Sequence, residues 1–108
     1  MSKTDLNTLA LAAIERKEYE LVNRLLLVSS YLYYIRDYSV VDDTTYDGLC
    51  KCLLNDWEKA EPAIKKFHTV IPYGVDWLEA GTLFMLREKD YPTIARYAAL
   101  GILERDNA

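Results

Sequence analysis

Apolar residues recur at intervals of three or four positions through most of this chain, which is the spacing of one face of an α-helix. The pattern is clearest from Tyr19 to Tyr33 and from Tyr46 to Trp57, and it returns near both ends of the chain. No stretch alternates apolar and polar residues over the length of a half-buried β-strand. The sequence therefore predicts an all-α fold, a small helical domain of about four to six helices.

The length and composition fit a single domain that spans residues 1–108. Of the 108 residues, 51% are apolar and 28% are charged, which is enough apolar surface for a modest core. The net charge of −4 argues against direct nucleic-acid binding, which depends on lysine and arginine. We find neither a run of eighteen apolar residues nor a signal sequence, so we expect a cytoplasmic protein that does not enter a membrane.

Charged and capping residues divide the first half of the chain into helical segments. The charged cluster at residues 15–18 separates either a short helix from a long one or the two arms of one kinked helix. In both cases the helical pattern ends near Asp37 and is followed by a loop. Asp42 and Asp43 then begin the next helix, because short side chains that carry oxygen cap the free amides of a first turn.

The second half of the chain is expected to contain three further helical stretches. The helix that begins near Asp43 is expected to pass Trp57 and to end or kink at Pro62, since proline lacks an amide donor. One or two helical turns follow, another helix begins at Asp76, and a last helix begins near Pro92. The face that this last helix turns inward is predicted to carry Ile94, Ala98 and Ile102. The predicted aromatic core residues are Trp57, Trp77 and Phe84, and His68 is expected at the boundary of the core.

Four of the nine tyrosines lie between residues 31 and 38, just before an acidic helix start. Asp43, Tyr46 and Asp47 are three and four positions apart, so they share one face of the first turn of the new helix. If the preceding helix packs antiparallel to it, Tyr33 or Tyr34 lies opposite them. The residues then form a shallow pocket with aromatic walls and carboxylates, which suits a flat ring that is cationic or carries an amide.

The same stretch resembles the signature of domain Ia of NAD-dependent DNA ligases. The residues that match its pattern are Tyr31, Tyr33, Tyr34, Asp37, Ser39, Asp43, Tyr46, Asp47, Leu49, Leu53, Glu58 and Pro62. The likeness covers residues 19–62, which it implies to be a helical hairpin, whereas residues 63–108 leave the ligase pattern. The resemblance identifies the chain as similar to a free-standing, divergent relative of that domain.

In that family, domain Ia recognises the nicotinamide mononucleotide (NMN) half of NAD. Carried over by position, Tyr33 stacks on the nicotinamide ring, and Asp43, Tyr46 and Asp47 bind the ribose or the carboxamide. Tyr34 departs from the pattern, because the family usually has a histidine there that helps to hold the phosphate end. The resemblance therefore implies NMN or NAD as a ligand, with weakened recognition of the phosphate.

Nothing in the sequence supplies the chemistry of a ligase or of another enzyme. The ligase reaction needs a nucleophilic lysine in a Lys-x-Asp-Gly setting, and Lys51 and the other lysines lack it. Cys50 and Cys52 point to different sides of a helix, and His68 is the single histidine, so we expect no metal site and inert, reduced thiols. We expect a protein that is not an enzyme and that has no cofactor.

Two hypotheses of function remain. The first, which the sequence favours slightly, is a non-catalytic interaction module that inhibits or modulates a host or partner protein, as small acidic phage or mobile-element (viral) proteins do. Its predicted partner-binding residues are Tyr31, Tyr38, Tyr73 and Tyr91. The alternative is a module that binds NMN or NAD as a sensor, sequestering or accessory protein. Its predicted ligand-binding residues are Tyr33, Tyr34, Asp43, Tyr46 and Asp47.

Overall fold

A computed structural model describes residues 3–67 and 87–106 of the chain. Every regular element in this part is helical, which confirms the all-α prediction. The α-helices are α1 (Lys3–Arg16), α2 (Tyr19–Ser30), α3 (Asp43–Asn55), α4 (Trp57–Phe67) and α5 (Thr93–Asp106). A π-helical turn (Tyr31–Ile35) follows α2, and a 3-10 turn (Glu88–Asp90) precedes α5.

Several predicted features lie outside the described residues, namely His68, Tyr73, Trp77, Phe84 and the helix expected to begin at Asp76. Within the described residues, Trp57 is partly buried at the edge of the core. No helix in this described part has the length and apolarity needed to cross a membrane.

The chain reverses between α1 and α2 at Lys17, which has a positive φ of 56°. The amide of Glu18 donates to the carbonyl of Ala13 at 3.1 Å, and this bond closes the turn. Left-handed backbone ends a helix, because the following residues can no longer continue its hydrogen bonds. The first two segments are therefore separate helices and not one kinked helix, but the predicted order of a short and a long helix is wrong, because α1 has 14 residues and α2 has 12.

Helix α2 lies at the centre of the fold and packs against α1, α3, α4 and α5. Its last six residues, 25–30, are all buried, so they face neighbours on every side of the helix. A helix that is apolar on all sides is stable only when other helices surround it. The core of the protein is therefore built around the second half of α2.

The π-helical turn changes the direction of the side chains that follow α2. The amide of Arg36 donates to the carbonyl of Tyr31 at 3.3 Å, five residues back, and so adds one residue to the turn. Tyr31 and Leu32 are buried, whereas Tyr33 and Tyr34 face outward. The two tyrosine rings therefore leave the core where the helix widens.

The prediction of one helix from Asp43 through Trp57 to Pro62 is wrong, because α3 ends at Asn55 and α4 begins at Trp57. Asp56 separates them with φ −115° and ψ 39°. Its carbonyl accepts hydrogen bonds from the amides of Lys59 and Ala60, both at 2.9 Å, so Asp56 begins a new helix. Pro62 neither ends nor begins a helix but lies inside α4.

The inward face predicted for the last helix is also wrong in two of its three residues. Ile102 is buried, but Ile94 and Ala98 are exposed, and the buried residues of α5 are Ala95, Ala99 and Ile102. The reason is a contact just before the helix, where the ring of Tyr91 meets the edge of Tyr31 with centroids 5.3 Å apart. This buried aromatic pair fixes the rotation of α5 about its axis.

Candidate functional site

A pocket of about 190 Å³ lies where the π-helical turn, the loop before α3 and the first turn of α3 meet. It contains all five residues predicted to bind a ligand. The residues that line it are Ser29, Tyr33, Tyr34, Ser39, Val40, Val41, Asp43, Tyr46 and Asp47. Tyr33 and Tyr34 therefore face Asp43, Tyr46 and Asp47 across one cavity, although at least nine positions separate the two groups in the sequence.

Two aromatic rings form the exposed wall of the pocket. The side chains of Tyr33 and Tyr34 are 53% and 36% exposed, and their rings meet edge to face, with centroids 4.8 Å apart at 84°. This arrangement suits aromatic rings, because the positive edge of one faces the negative face of the other. A large part of the Tyr33 ring surface remains accessible to a ligand.

Tyr46 forms the inner wall and is held by a hydrogen bond to α2. Its hydroxyl lies 2.7 Å from Oγ of Ser30, and either group can donate. Burial raises the pKa of Tyr46 above its usual range, although the Ser30 hydrogen bond acts in the opposite direction. The phenol therefore stays neutral and in a fixed position at physiological pH.

Asp43 and Asp47 place two exposed carboxylates at the rim of the pocket. Oδ2 of Asp47 forms an ion pair at 2.8 Å with Nζ of Lys51, one turn further along α3. This contact raises the pKa of Lys51. Exposed ion pairs of this kind contribute little to stability. Both carboxylates therefore remain available as acceptors for a donor or a cation in the pocket.

The loop between the two walls is anchored to both ends of the described fold. The hydroxyl of Tyr38 donates to Oδ2 of Asp106 at 2.8 Å, and the amide of Asp42 donates to Oδ1 of Asn7 at 3.0 Å. Asp37, at the start of the loop, has a positive φ of 54°. These contacts to α5 and α1 fix the distance between the aromatic wall and the acidic rim.

Helix α3 begins where the sequence predicts, but the predicted capping hydrogen bond from a side chain is absent at Asp42. Asp42 is the residue before the helix, but its side chain makes no capping hydrogen bond. Instead its carbonyl accepts the amide of Tyr46 at 2.8 Å, as in any helix start. The side chain of Asp43, within the first turn, lines the pocket.

Ser29 is a pocket residue that the sequence did not identify as one. It is 2% exposed, it lines the pocket, and its hydroxyl has no hydrogen-bond partner. A buried polar group without a partner is unusual, because it loses its bonds to water on folding. Helical spacing alone places this serine in the apolar stripe of α2, so the sequence does not distinguish it from a core residue.

Of the four tyrosines predicted to contact a partner, the three that the structure describes do not form an exposed patch. Tyr31 and Tyr91 are buried against each other in the core. Tyr38 is half-buried and bound to Asp106, and Tyr73 lies outside the described residues. The prediction is therefore wrong for Tyr31 and Tyr91, because these two rings pack against each other between the π-helical turn and the segment before α5.

The two cysteines are free, with Cys50 buried and Cys52 half-buried. Burial raises the pKa of the Cys50 thiol to about 12, so the thiol is protonated at neutral pH. Nucleophilic chemistry needs the thiolate, and Cys50 therefore behaves as a small core residue. In residues 3–67 and 87–106 we find no group of three histidine, cysteine, aspartate or glutamate side chains placed to hold a metal ion.

Comparison of the chain with protein-family models, curated proteins and solved structures gives no match. The description of the site therefore rests on its residues and their geometry.

Proposed function

We propose that this chain is a non-catalytic module that binds the nicotinamide ring of NMN or NAD in the pocket between the π-helical turn and α3. The main support is that Tyr33, Tyr34, Asp43, Tyr46 and Asp47 all line one cavity. Helical spacing predicts that they share a pocket for a flat ring, and the resemblance to ligase domain Ia implies that this ring is nicotinamide. Two of the four tyrosines predicted to contact a partner, Tyr31 and Tyr91, are buried, so they do not support the competing interaction hypothesis.

The size of the pocket limits which part of the ligand it can enclose. A cavity of about 190 Å³ is smaller than the pockets of roughly 300–1,000 Å³ that enclose complete ligands. It suits one aromatic ring, with the ribose at the rim and the remainder of the nucleotide outside. We therefore expect weak binding that depends mainly on the ring.

Each wall has a distinct role in this proposal. The exposed face of Tyr33 stacks on the ring, and the oxidised nicotinamide ring is cationic, so the stacking includes a cation–π attraction. The carboxylates of Asp43 and Asp47 accept from the ribose hydroxyls and attract the same positive charge.

The charges around the pocket argue against strong recognition of phosphate. The described residues that line it include two aspartates but no lysine, arginine or histidine. Phosphate sites usually offer such cations or several free amides. The ligand is therefore held through its ring and its ribose, in agreement with Tyr34 at the position where the ligase family has histidine.

Calorimetric titration with NMN, NAD and nicotinamide tests the proposal. We expect heat of binding with all three compounds, and loss of most of the affinity in Tyr33→Ala and Asp47→Asn. Tyr97→Ala is the matched control, because Tyr97 is an exposed tyrosine (71%) outside this pocket. Circular dichroism checks that each variant is folded.

Absence of heat with all three compounds at millimolar concentration would overturn the proposal. Binding that is equally strong in the wild type and in both pocket variants would also contradict it, because the ligand would then occupy another site. Equal loss of affinity in Tyr97→Ala would lead to the same conclusion.

A further inference from the structure

Helix α5 has more apolar surface than its contacts with the core require. The buried residues Ala95, Ala99 and Ile102 form one face. The adjacent face carries Ile94 and Tyr97, which are 60% and 71% exposed. At 3.6 residues per turn these faces together cover roughly 200° of the helix surface, about twice the usual width of a stripe that faces one core. An outward face of this kind is typical of a helix that packs against a second neighbour.

The exposed face of α5 borders a groove of about 320 Å³ between α1, α2 and α5. The residues that line it are Leu6, Leu9, Leu21, Arg24, Leu25, Val28, Tyr97, Ala98, Gly101, Ile102 and Arg105. All of these are apolar or small except the two arginines and the Tyr97 hydroxyl. The chain as a whole has a net charge of −4, yet both charges that line this groove are positive.

Gly101 is a second feature of this groove that is independent of the exposed apolar face of α5. It lies inside α5, where glycine is destabilising relative to alanine. A Cβ built on it meets no atom within 4 Å, and its φ is not positive. Neither packing within the chain nor backbone geometry therefore requires glycine here. A small residue at the floor of a groove does allow another helix to approach the backbone closely.

We propose that this groove is a docking site for an acidic amphipathic helix of a partner protein. The apolar side chains of that helix fill the groove over Ala98 and Gly101, and its carboxylates lie beside Arg24 and Arg105. A second copy of this chain is a poor occupant, because a two-fold contact would bring the arginines of both copies to the same interface. This proposal is independent of the nicotinamide pocket, since the two cavities share no lining residue.

A displayed library of helical peptides tests the proposal on the full chain. Each peptide has about sixteen residues, between four and five turns, with leucine at positions i, i+3, i+4 and i+7. The other positions are drawn from glutamate, lysine, glutamine and alanine. We expect selection to enrich glutamate, and we expect the best peptide to perturb the amide resonances of Tyr97, Gly101 and Arg105.

Two groove variants and two controls then locate the site. Gly101→Leu projects a side chain into the groove, and the double variant Arg24→Glu with Arg105→Glu reverses its charge. Each is expected to weaken binding of the selected acidic peptide by about tenfold or more. Arg16→Glu reverses one charge outside the groove, and Tyr33→Ala alters the other pocket, so both should leave the affinity unchanged.

Several outcomes would overturn the proposal. They are the recovery of no binding peptide, enrichment of lysine or of no charge, and affinities that the groove variants do not change. A concentration-dependent dimer in sedimentation, abolished by Gly101→Leu, would show that a second copy occupies the groove instead. As a folding control, the Tm of each groove variant must equal or exceed that of the wild type. Loss of peptide binding in both folded variants supports the docking site.

Discussion

The hydroxyl of Tyr46 lies 2.7 Å from Oγ of Ser30, and this contact joins the first turn of α3 to the end of α2 beside the pocket. Ser30 is fully buried, so removing its partner leaves a hydroxyl without a hydrogen bond. We expect Tyr46→Phe to lower the free energy of unfolding by about 1–2 kcal/mol, measured by urea denaturation. Tyr97→Phe, at an exposed tyrosine, is the control and should change it by less than about 0.5 kcal/mol.

A double-mutant cycle sharpens this prediction. Ser30→Ala in the Tyr46→Phe background removes the stranded hydroxyl, so the double variant should be less destabilised than the sum of the two single variants. Simple additivity would show that the two groups do not interact.

At Tyr91, the same substitution of tyrosine by phenylalanine is expected to raise the free energy of unfolding instead of lowering it. It is buried, and its hydroxyl has no hydrogen-bond partner, while burial raises its pKa above the usual range. Tyr91→Phe keeps the edge contact with Tyr31 and removes a polar group that folding has desolvated. We expect a gain of about 1 kcal/mol in the free energy of unfolding. A loss of similar size in the same urea titration would mean that the hydroxyl has a partner in solution.

The pocket could be predicted from the sequence because its parts obey local rules. Asp43, Tyr46 and Asp47 share a face through helical spacing alone, whichever way the rest of the chain packs. Tyr33 is different, because spacing predicts only that Tyr33 or Tyr34 lies opposite these residues, and only the resemblance distinguishes Tyr33 as the stacking ring. The π-helical turn that precedes the exposed loop includes the hydrogen bond from the Arg36 amide to the Tyr31 carbonyl, and it leaves no pattern in the sequence.

Features that depend on long-range contacts could not be predicted. The rotation of α5 follows from the meeting of Tyr91 with Tyr31, sixty positions earlier, so spacing within α5 could not distinguish Ile94 from Ala95. The break at Asp56 was missed because apolar spacing continues across it. Its carboxylate accepts a hydrogen bond from the hydroxyl of Tyr19 at 2.6 Å, a contact between residues that are distant in sequence.

That contact predicts a pH dependence. The hydrogen bond from Tyr19, aided by the charge of Lys17, holds the pKa of Asp56 below its usual value of 3.8. A carboxylate whose pKa is lowered by folding stabilises the protein above its unfolded pKa, and this contribution is lost as the pH falls through the lowered value. The same bond raises the pKa of Tyr19 to about 12. Its contribution is therefore present below pH 10 and is lost as the pH approaches 12.

The measurement is the difference in Tm between the wild type and Tyr19→Phe. We expect this difference to be constant at intermediate pH and to shrink as the pH falls below about 3.8 and again above pH 10. A difference that persists at low pH would show that the Asp56 carboxylate does not contribute through this bond.

The glycines of α3 and α5 form a matched pair for a stability test. A Cβ on Gly101 meets nothing within 4 Å, whereas one on Gly48 lies 3.3 Å from Cδ1 of Ile14. We expect Gly101→Ala to raise the free energy of unfolding by about 0.5–1 kcal/mol. Gly48→Ala should gain less, because Ile14 must move. An equal increase in the free energy of unfolding for both variants, measured by urea denaturation, would show that Ile14 can move away from the new methyl group without loss of stability.

The redox form of the ligand gives the most direct test of how the pocket binds. The oxidised nicotinamide ring carries a positive charge that the reduced ring lacks. Both sides of the pocket attract this charge: the face of Tyr33 through a cation–π interaction, and Asp43 and Asp47 through their carboxylates. We expect NMN to bind more tightly than its reduced form, and we expect this preference to weaken with added salt. Calorimetry at two ionic strengths measures both effects.

Asp47→Asn is the variant that separates the two sources of this preference. It keeps a hydrogen-bond acceptor at the rim but removes a charge, so part of the preference for the oxidised ring should be lost while the reduced form binds as before. The riboside that lacks the phosphate should bind within about tenfold of NMN, since a charged contact to the phosphate would contribute about 1.5–3 kcal/mol. Tighter binding of the reduced form would contradict a pocket that recognises the charge of the ring. A difference in affinity between riboside and mononucleotide much larger than tenfold would show that this chain binds the phosphate.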